Sequence, residues 1–366
     1  MIKIPVYEPA LDGNEKKYVM DCLESNWISS KGQYVHRFED HFSSYVGTQY
    51  AVSTSNGTTA LHLAMLALGI GKGDEIIVPT LTYISSVNCI RYVGATPVFV
   101  DSDPENWQLD LEQVKKKINI RTKAVIAVHL YGNACDLEEL RNICNKHNIF
   151  LVEDCAEAIG TYSNNKHVGT FGDISTFSFF GNKTITTGEG GMVCTNNLTL
   201  KERIELFKGQ GVSKNIEYWH EVVGYNYRMT NICAAIGLAQ LERVESILMK
   251  KREIADQYKQ ELKELPMDFA DDKNVMNSHW MVSVVLENED YRDLLRSHLY
   301  QFGIETRPFF HPIHLMDMYK NEGSSHNYPN ALKLSKSGIN LPSSPLLSQE
   351  KITYICNVIK DFYRTR

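Results

Sequence analysis

The residues best equipped for chemistry lie between Ser175 and Cys194, in the run STFSFFGNKTITTGEGGMVC, with Lys183 at their centre. Strand-forming residues flank the lysine, STFSFF before and GGMVC after, which predicts a turn between two strands that presents the amine to a cleft. A lysine is ordinarily a solvated surface charge. Desolvated, it becomes a nucleophile towards carbonyls, and a Schiff base is the covalent chemistry that follows. The surroundings favour the second reading. Ser178 and aromatic rings precede the lysine, and Thr187-Gly188-Glu189-Gly190-Gly191 follows, a turn whose glycines permit positive backbone angles or close approach to a ligand.

Further candidates stand where apolar runs end. Thr54-Ser55-Asn56-Gly57-Thr58-Thr59 opens the apolar run ALHLAMLAL, so Asn56, Gly57 and Thr58 place unpaired amides at a helix N-terminus, a cradle for phosphate. Taken alone, the stretch reads more readily as a capped helix that binds nothing, since hydroxyl caps are common. Tyr83, after EIIV and Pro79-Thr80, offers a ring that either stacks on a flat ligand or packs in the core. Asp154 ends the apolar run FLVE. A buried carboxylate is costly unless paired, so it requires a cation: a protein Arg or Lys, or a protonated ring nitrogen of a ligand.

These positions need a scaffold that brings strand ends together. From Tyr50 onward short apolar runs alternate with longer helical ones. Strands are expected at 51–53, 75–78, 96–100, 124–129 and 150–153, and helices near 58–68, 110–118 and 136–146. This is the pattern of an α/β layer sandwich with a mostly parallel sheet, whose ligands bind at the carboxyl ends of strands. Before it come an irregular arm (4–9), a helix at about 14–25 and the loop Trp27–Gly32, in which Ser29 belongs either to a connector or to a substrate loop. After it, one long helix is expected from Asn231 to about Leu265. A strand at 280–286, a helix near 290–302, the segment 303–314 and a final helix from about Ser348 then form a smaller α+β part. The domains expected are 1–245 and 246–366.

Composition narrows the function. Hydrophobic residues make up 43% and charged residues 22%, as in an ordinary globular protein. The net charge of −6 and pI near 6.1 argue against nucleic acid as a partner. The amino terminus turns polar at once and no run suits a membrane span, so a cytoplasmic protein is expected. The eight cysteines form no C-x-x-C pair, which predicts buried small side chains, Cys155 among them, and no metal site.

Together, Ser55-Asn56-Gly57-Thr58, Glu153-Asp154-Cys155-Ala156, Ser175 to Lys183, Thr187 to Gly191 and Gly224-Tyr225-Asn226-Tyr227-Arg228-Met229 resemble, in order, the motifs of the DegT/DnrJ/EryC1/StrS sugar aminotransferases. The resemblance spans essentially the whole chain. It implies the fold of type I pyridoxal-phosphate enzymes, a large α/β/α domain with a smaller α+β domain, and pyridoxal 5'-phosphate as cofactor. Lys183 would form the Schiff base and act as acid and base. Asp154 would hold the ring nitrogen, Tyr83 would cover one ring face, and Asn56, Gly57, Thr58 and Ser178 would bind the phosphate. Asn226 would reach the phosphate of a neighbouring subunit, so the working unit would be a homodimer with shared sites. Glu157 stands near the expected ring hydroxyl, where many relatives carry Gln or His. Two carboxylates near one ring would couple their titrations.

PVYEP, NWISSKGQYV, PTLTYISSVN and EDCAEAIG are similar to the branch of the family that aminates C4 of GDP-4-keto-6-deoxy-D-mannose with L-glutamate for O-antigen synthesis. Ser29, Arg228, Arg307, His311 and His314 would then contact substrate, although histidines beside prolines are commonly structural. The alternatives are a dTDP- or UDP-linked 4-keto sugar as acceptor, a 3-dehydratase, against which Lys183 argues because such relatives carry histidine there, and a cofactor-binding regulator without turnover.

Overall fold

In the computed structural model, which describes residues 3–272, 274–322 and 327–365, the alternation after Tyr50 becomes a seven-stranded sheet. Its strands are β1 (Tyr50–Thr54), β2 (Glu75–Pro79), β3 (Thr96–Val100), β4 (Thr122–Val128), β5 (Phe150–Asp154), β6 (Ile174–Ser178) and β7 (Gly191–Thr195). The order is β1-β7-β6-β5-β4-β2-β3, and only β7 runs against its neighbours. β4 shows why the strands read as continuous apolar runs. Ala124, Ile126 and Val128 enter one hydrophobic core while Val125 and Ala127 enter the other, so both faces are covered.

The covering helices are α1 (Glu15–Glu24), α2 (Gln33–Val46), α3 (Gly57–Ala67), α4 (Ser85–Tyr92), α5 (Leu111–Lys117), α6 (Leu137–His147), α7 (Leu198–Lys208) and α8 (Asn231–Leu241). The sequence reading passed over α2, although its buried Tyr34, Phe38, Phe42 and Val46 recur every fourth residue, on one helical face. The single helix expected from Asn231 is two. Arg243 leaves helical geometry at φ −124°, ψ 13°, and α9 (Val244–Leu262) starts afresh. The break separates two duties. α8 and the start of α9 pack in the core of the large sheet, whereas Ile254, Ala255, Tyr258 and Leu262 pack beneath a second sheet.

That second sheet is antiparallel, with strands β8 (Met267–Asp268), β9 (Val282–Leu286), β10 (Arg307–Pro308) and β11 (Gly338–Leu341) in the order β8-β9-β11-β10. α10 (Tyr291–Gln301), α11 (Pro329–Ser337) and α12 (Gln349–Arg364) accompany it. Trp280, expected to begin a strand, lies just before β9. Trp280, Met281, Val285 and Phe309 share a core with Ile76 and Val78 of the large sheet, which seats the second sheet against the first. No helix among the described residues is long and apolar enough to cross a membrane.

Candidate active site

A cleft of 740 Å³ opens beside the carboxyl ends of β5 and β6, and Asn56, Gly57, Thr58, Tyr83, Asp154, Glu157, Ser178 and Lys183 all line it. At one end stands the first turn of α3. Asn56 Oδ1 accepts the Thr59 N–H at 2.9 Å and the Thr59 hydroxyl reaches back to the Asn56 N–H at 3.3 Å, a reciprocal cap. The cap spends the Asn56 side chain and leaves the Gly57 and Thr58 amides at the mouth of the turn. Gly57 is required by packing: a Cβ there would lie 2.8 Å from Ser178 Cβ. Gly191 is similarly confined, since its Cβ would lie 2.5 Å from the Asn56 carbonyl oxygen. Thus β7 can run close beneath the turn only without a side chain.

Lys183 sits on the β6–β7 connection, where its N–H donates to the Phe180 carbonyl at 2.9 Å. Gly188, at φ 80°, turns the chain back towards β7. Lys183 Nζ lies 3.7 Å from Glu157 Oε1 and 3.9 Å from the centre of the Trp280 ring. Burial lowers the pKa of the amine below its ordinary value, and the carboxylates of Glu157 and Asp154 oppose the shift. The Glu157 carboxyl is pushed up to about 7 by burial, against the pull of Lys183 and the Tyr131 N–H.

Asp154, the last residue of β5, accepts the Ser86 hydroxyl at 2.7 Å and the Ala156 N–H at 3.1 Å. Among the described residues no Lys or Arg forms an ion pair with it. Burial raises its pKa, so the site holds a carboxylate in want of a cation. Adjacent Glu153 behaves differently. Its oxygens are taken by the N–H groups of Gly169, Phe171 and Gly172 and by His129, making it a structural acceptor. Cys155, also buried, stands beside this His129–Glu153 pair.

A flat anionic cofactor with a ring nitrogen and a carbonyl fits these groups. The α3 amides and Ser178 suit a phosphate, unpaired Asp154 suits a protonated ring nitrogen, and Lys183 suits the carbonyl. The residues therefore fit pyridoxal phosphate.

A family profile described as the DegT/DnrJ/EryC1/StrS aminotransferase family matches residues 9–360. The chain belongs to that family. Its relatives in the family include a GDP-perosamine synthase of Escherichia coli O157:H7, 56% identical over 98% of each chain. Another, of Vibrio cholerae, is 53% identical over 98% of this chain and 99% of its own. Among solved family structures, the Streptococcus pneumoniae protein Spr1654 in its PLP form superposes with a TM-score of 0.94 at 30% identity, covering 99% of both chains.

The remaining sequence candidates are scattered. Arg307 and His311 are exposed and line a second cleft of 550 Å³ that shares Thr82, Tyr83, Asn182, Trp280 and Phe310 with the first. Arg307 pairs with Glu305 at 2.5 Å. His314 stands apart from these two. It is buried, its Nδ1 bonds to the Thr80 hydroxyl at 2.7 Å, its ring packs on Tyr328, and it reaches neither cleft. Ser29, Asn226 and Arg228 lie outside both clefts of their own chain. Arg228 Nε donates to the exposed Asn226 side chain at 3.1 Å. Sequence reasoning missed Ser86, Tyr227, Trp280 and Phe310, all of which line the main cleft. Trp280 and Phe310 come from the second sheet's region, and only tertiary contact reveals them.

Proposed function

We propose that this protein transfers the amino group of L-glutamate to C4 of GDP-4-keto-6-deoxy-D-mannose, giving GDP-perosamine and 2-oxoglutarate for O-antigen synthesis. The observation that carries the chemistry is the convergence, in one cleft, of the half-buried Lys183 amine, the unpaired Asp154 carboxylate and the α3 amide cradle. The choice of acceptor is supported by the two GDP-perosamine synthases that match the chain nearly end to end.

Bound pyridoxal phosphate supplies the electron sink that makes a C–H bond beside the amine acidic. The α3 turn and Ser178 hold the phosphate. Asp154, kept in place by Ser86, holds a proton on the ring nitrogen. Lys183 Nζ, its pKa lowered by burial, takes the proton from the amine-bearing carbon of glutamate and in the second half-reaction delivers one to C4 of the sugar. Tyr83, 57% exposed over the cleft, covers the ring. Arg307 and His311, in the adjoining cleft, bind the nucleotide sugar.

The working unit in this reading is a homodimer with shared sites. Tyr218 and Val223, 90% and 86% exposed, project from the segment that ends at Asn226, an apolar surface suited to a partner copy. Asn226, Ser29 and Arg228 would then serve the partner's cleft. The reaction belongs in the cytoplasm. All eight cysteines are free and seven are buried, as befits a reducing compartment.

An absorbance spectrum tests the proposal. A visible cofactor band that L-glutamate bleaches and GDP-4-keto-6-deoxy-D-mannose restores is the expected result. Restoration only by a dTDP- or UDP-linked keto sugar would change the acceptor. Absence of a band after adding pyridoxal phosphate would overturn the role of Lys183, and a stable band without turnover would make the protein a cofactor-binding regulator.

A further inference from the structure

Lys251, on α9, is 1% exposed, and among the described residues it has no ion-pair partner. A buried ammonium without a counterion is costly, so its partners are informative. Nζ donates to the Trp280 carbonyl at 3.1 Å and the Ser343 carbonyl at 2.9 Å, and stands 5.0 Å from the centre of the Tyr7 ring. These three residues come from just before β9, just after β11 and the N-terminal arm. The arm is tied in further by the Ser343 N–H, which donates to the Val6 carbonyl at 2.9 Å.

Two of the three lead directly to the β6–β7 turn. The Trp280 indole N–H donates to the Asn182 carbonyl at 2.7 Å, and the Tyr7 hydroxyl donates to the Lys183 carbonyl at 2.8 Å. The face of Trp280 lies 3.9 Å from Lys183 Nζ. Both clamps on the turn, and the aromatic face against the amine, therefore meet at Lys251.

We propose that Lys251 is a positioning residue for the reacting amine: its two hydrogen bonds set the backbone from which Trp280 presents its ring to Lys183. This rests on the reading of Lys183 as that amine. Burial lowers the Lys251 pKa to about 7, in keeping with a donor retained for its geometry. The charged groups that bear on the Lys183 titration are Glu157 and Asp154, and Lys251 is itself one of the cations that bear on His279.

The test reads the protonation of Lys183 itself. Full-length protein freed of cofactor is treated with limiting acetic anhydride across pH, and peptide mass spectrometry gives the midpoint for Lys183 acetylation. An aromatic face favours the ammonium, so Trp280→Leu lowers the midpoint by roughly 0.5 to 1 pH unit. Lys251→Met is expected to lower it in the same direction by at least half as much, and to add nothing in the Trp280→Leu background. An unchanged midpoint with a lowered Tm would make Lys251 merely structural and overturn the proposal, as would shifts that add in the double variant. If Lys251→Met does not fold, Lys251→Gln is read in the same way. If neither folds, Lys251 is a folding residue and the proposal falls. Failure of the underlying reading shows separately, as a wild-type protein that binds pyridoxal phosphate without a visible band.

Discussion

At Lys183 two opposed effects meet: burial drives the amine towards its uncharged form, while Glu157, 3.7 Å away, draws it towards the ammonium. The amine is thus held for covalent chemistry without being locked into either state. Lys183→Ala is expected to lower kcat by at least about 10³-fold while leaving a folded protein that still binds pyridoxal phosphate non-covalently. Steady-state kinetics and a cofactor titration check both halves. Glu157 makes a second prediction. Its carboxyl, raised from 4.5 to about 7, retains in the folded protein a proton that the unfolded chain has already lost within that window. The folded state binds more protons there, so the stability of the cofactor-free protein falls as pH rises from 4.5 to 7. Glu157→Gln is expected to flatten that fall, read as Tm against pH. An unaltered slope would place the titration elsewhere.

At the scale of elements, the cradle depends on three chain segments passing within van der Waals contact: the α3 turn, β6 and β7. Gly57 faces Ser178 on β6, and Gly191 begins β7 beside the Asn56 carbonyl. Gly57→Ala pushes the turn away from Ser178. The affinity for pyridoxal phosphate is expected to drop by about tenfold or more, measured by equilibrium titration. Tight binding in this variant would mean that the phosphate sits elsewhere. The break between α8 and α9 belongs to the same scale. It frees α9 to run beneath the second sheet, which carries Lys251 to the carbonyl of Trp280.

For the whole molecule, the second sheet is part of the site because its approach strands close one wall of the cleft with Trp280 and Phe310. The same logic extends across two subunits in the proposed dimer. If Asn226 completes the partner's site, Lys183→Ala and Asn226→Ala subunits, each deficient alone, are expected to complement when unfolded and refolded together. A statistical mixture would regain about a quarter of wild-type activity, because half the dimers carry one intact site. No gain on mixing would confine each site to one chain.

Much of this was legible in the residues alone. Strand ends, the capped turn at Asn56, the lysine turn and the strand-end aspartate are local features, written in apolar runs and the residues that interrupt them, and such signals need no knowledge of distant contacts. Tyr83 was likewise read from its place after a strand, whereas Glu157 was noticed only through the family resemblance. What tertiary structure decided is which distant groups meet. Trp280 and Lys251 look in sequence like an ordinary core aromatic and a helix surface charge. Their roles arise from the packing of α9 and β9 against the β6–β7 turn. His314, close to Arg307 and His311 in sequence, has its ring turned inward onto Thr80 and Tyr328, a placement that only the fold decides. Local pattern determines which elements form and where reactive groups stand along them; only the closing of one sheet against another determines what each side chain touches, because those contacts join residues up to hundreds of positions apart.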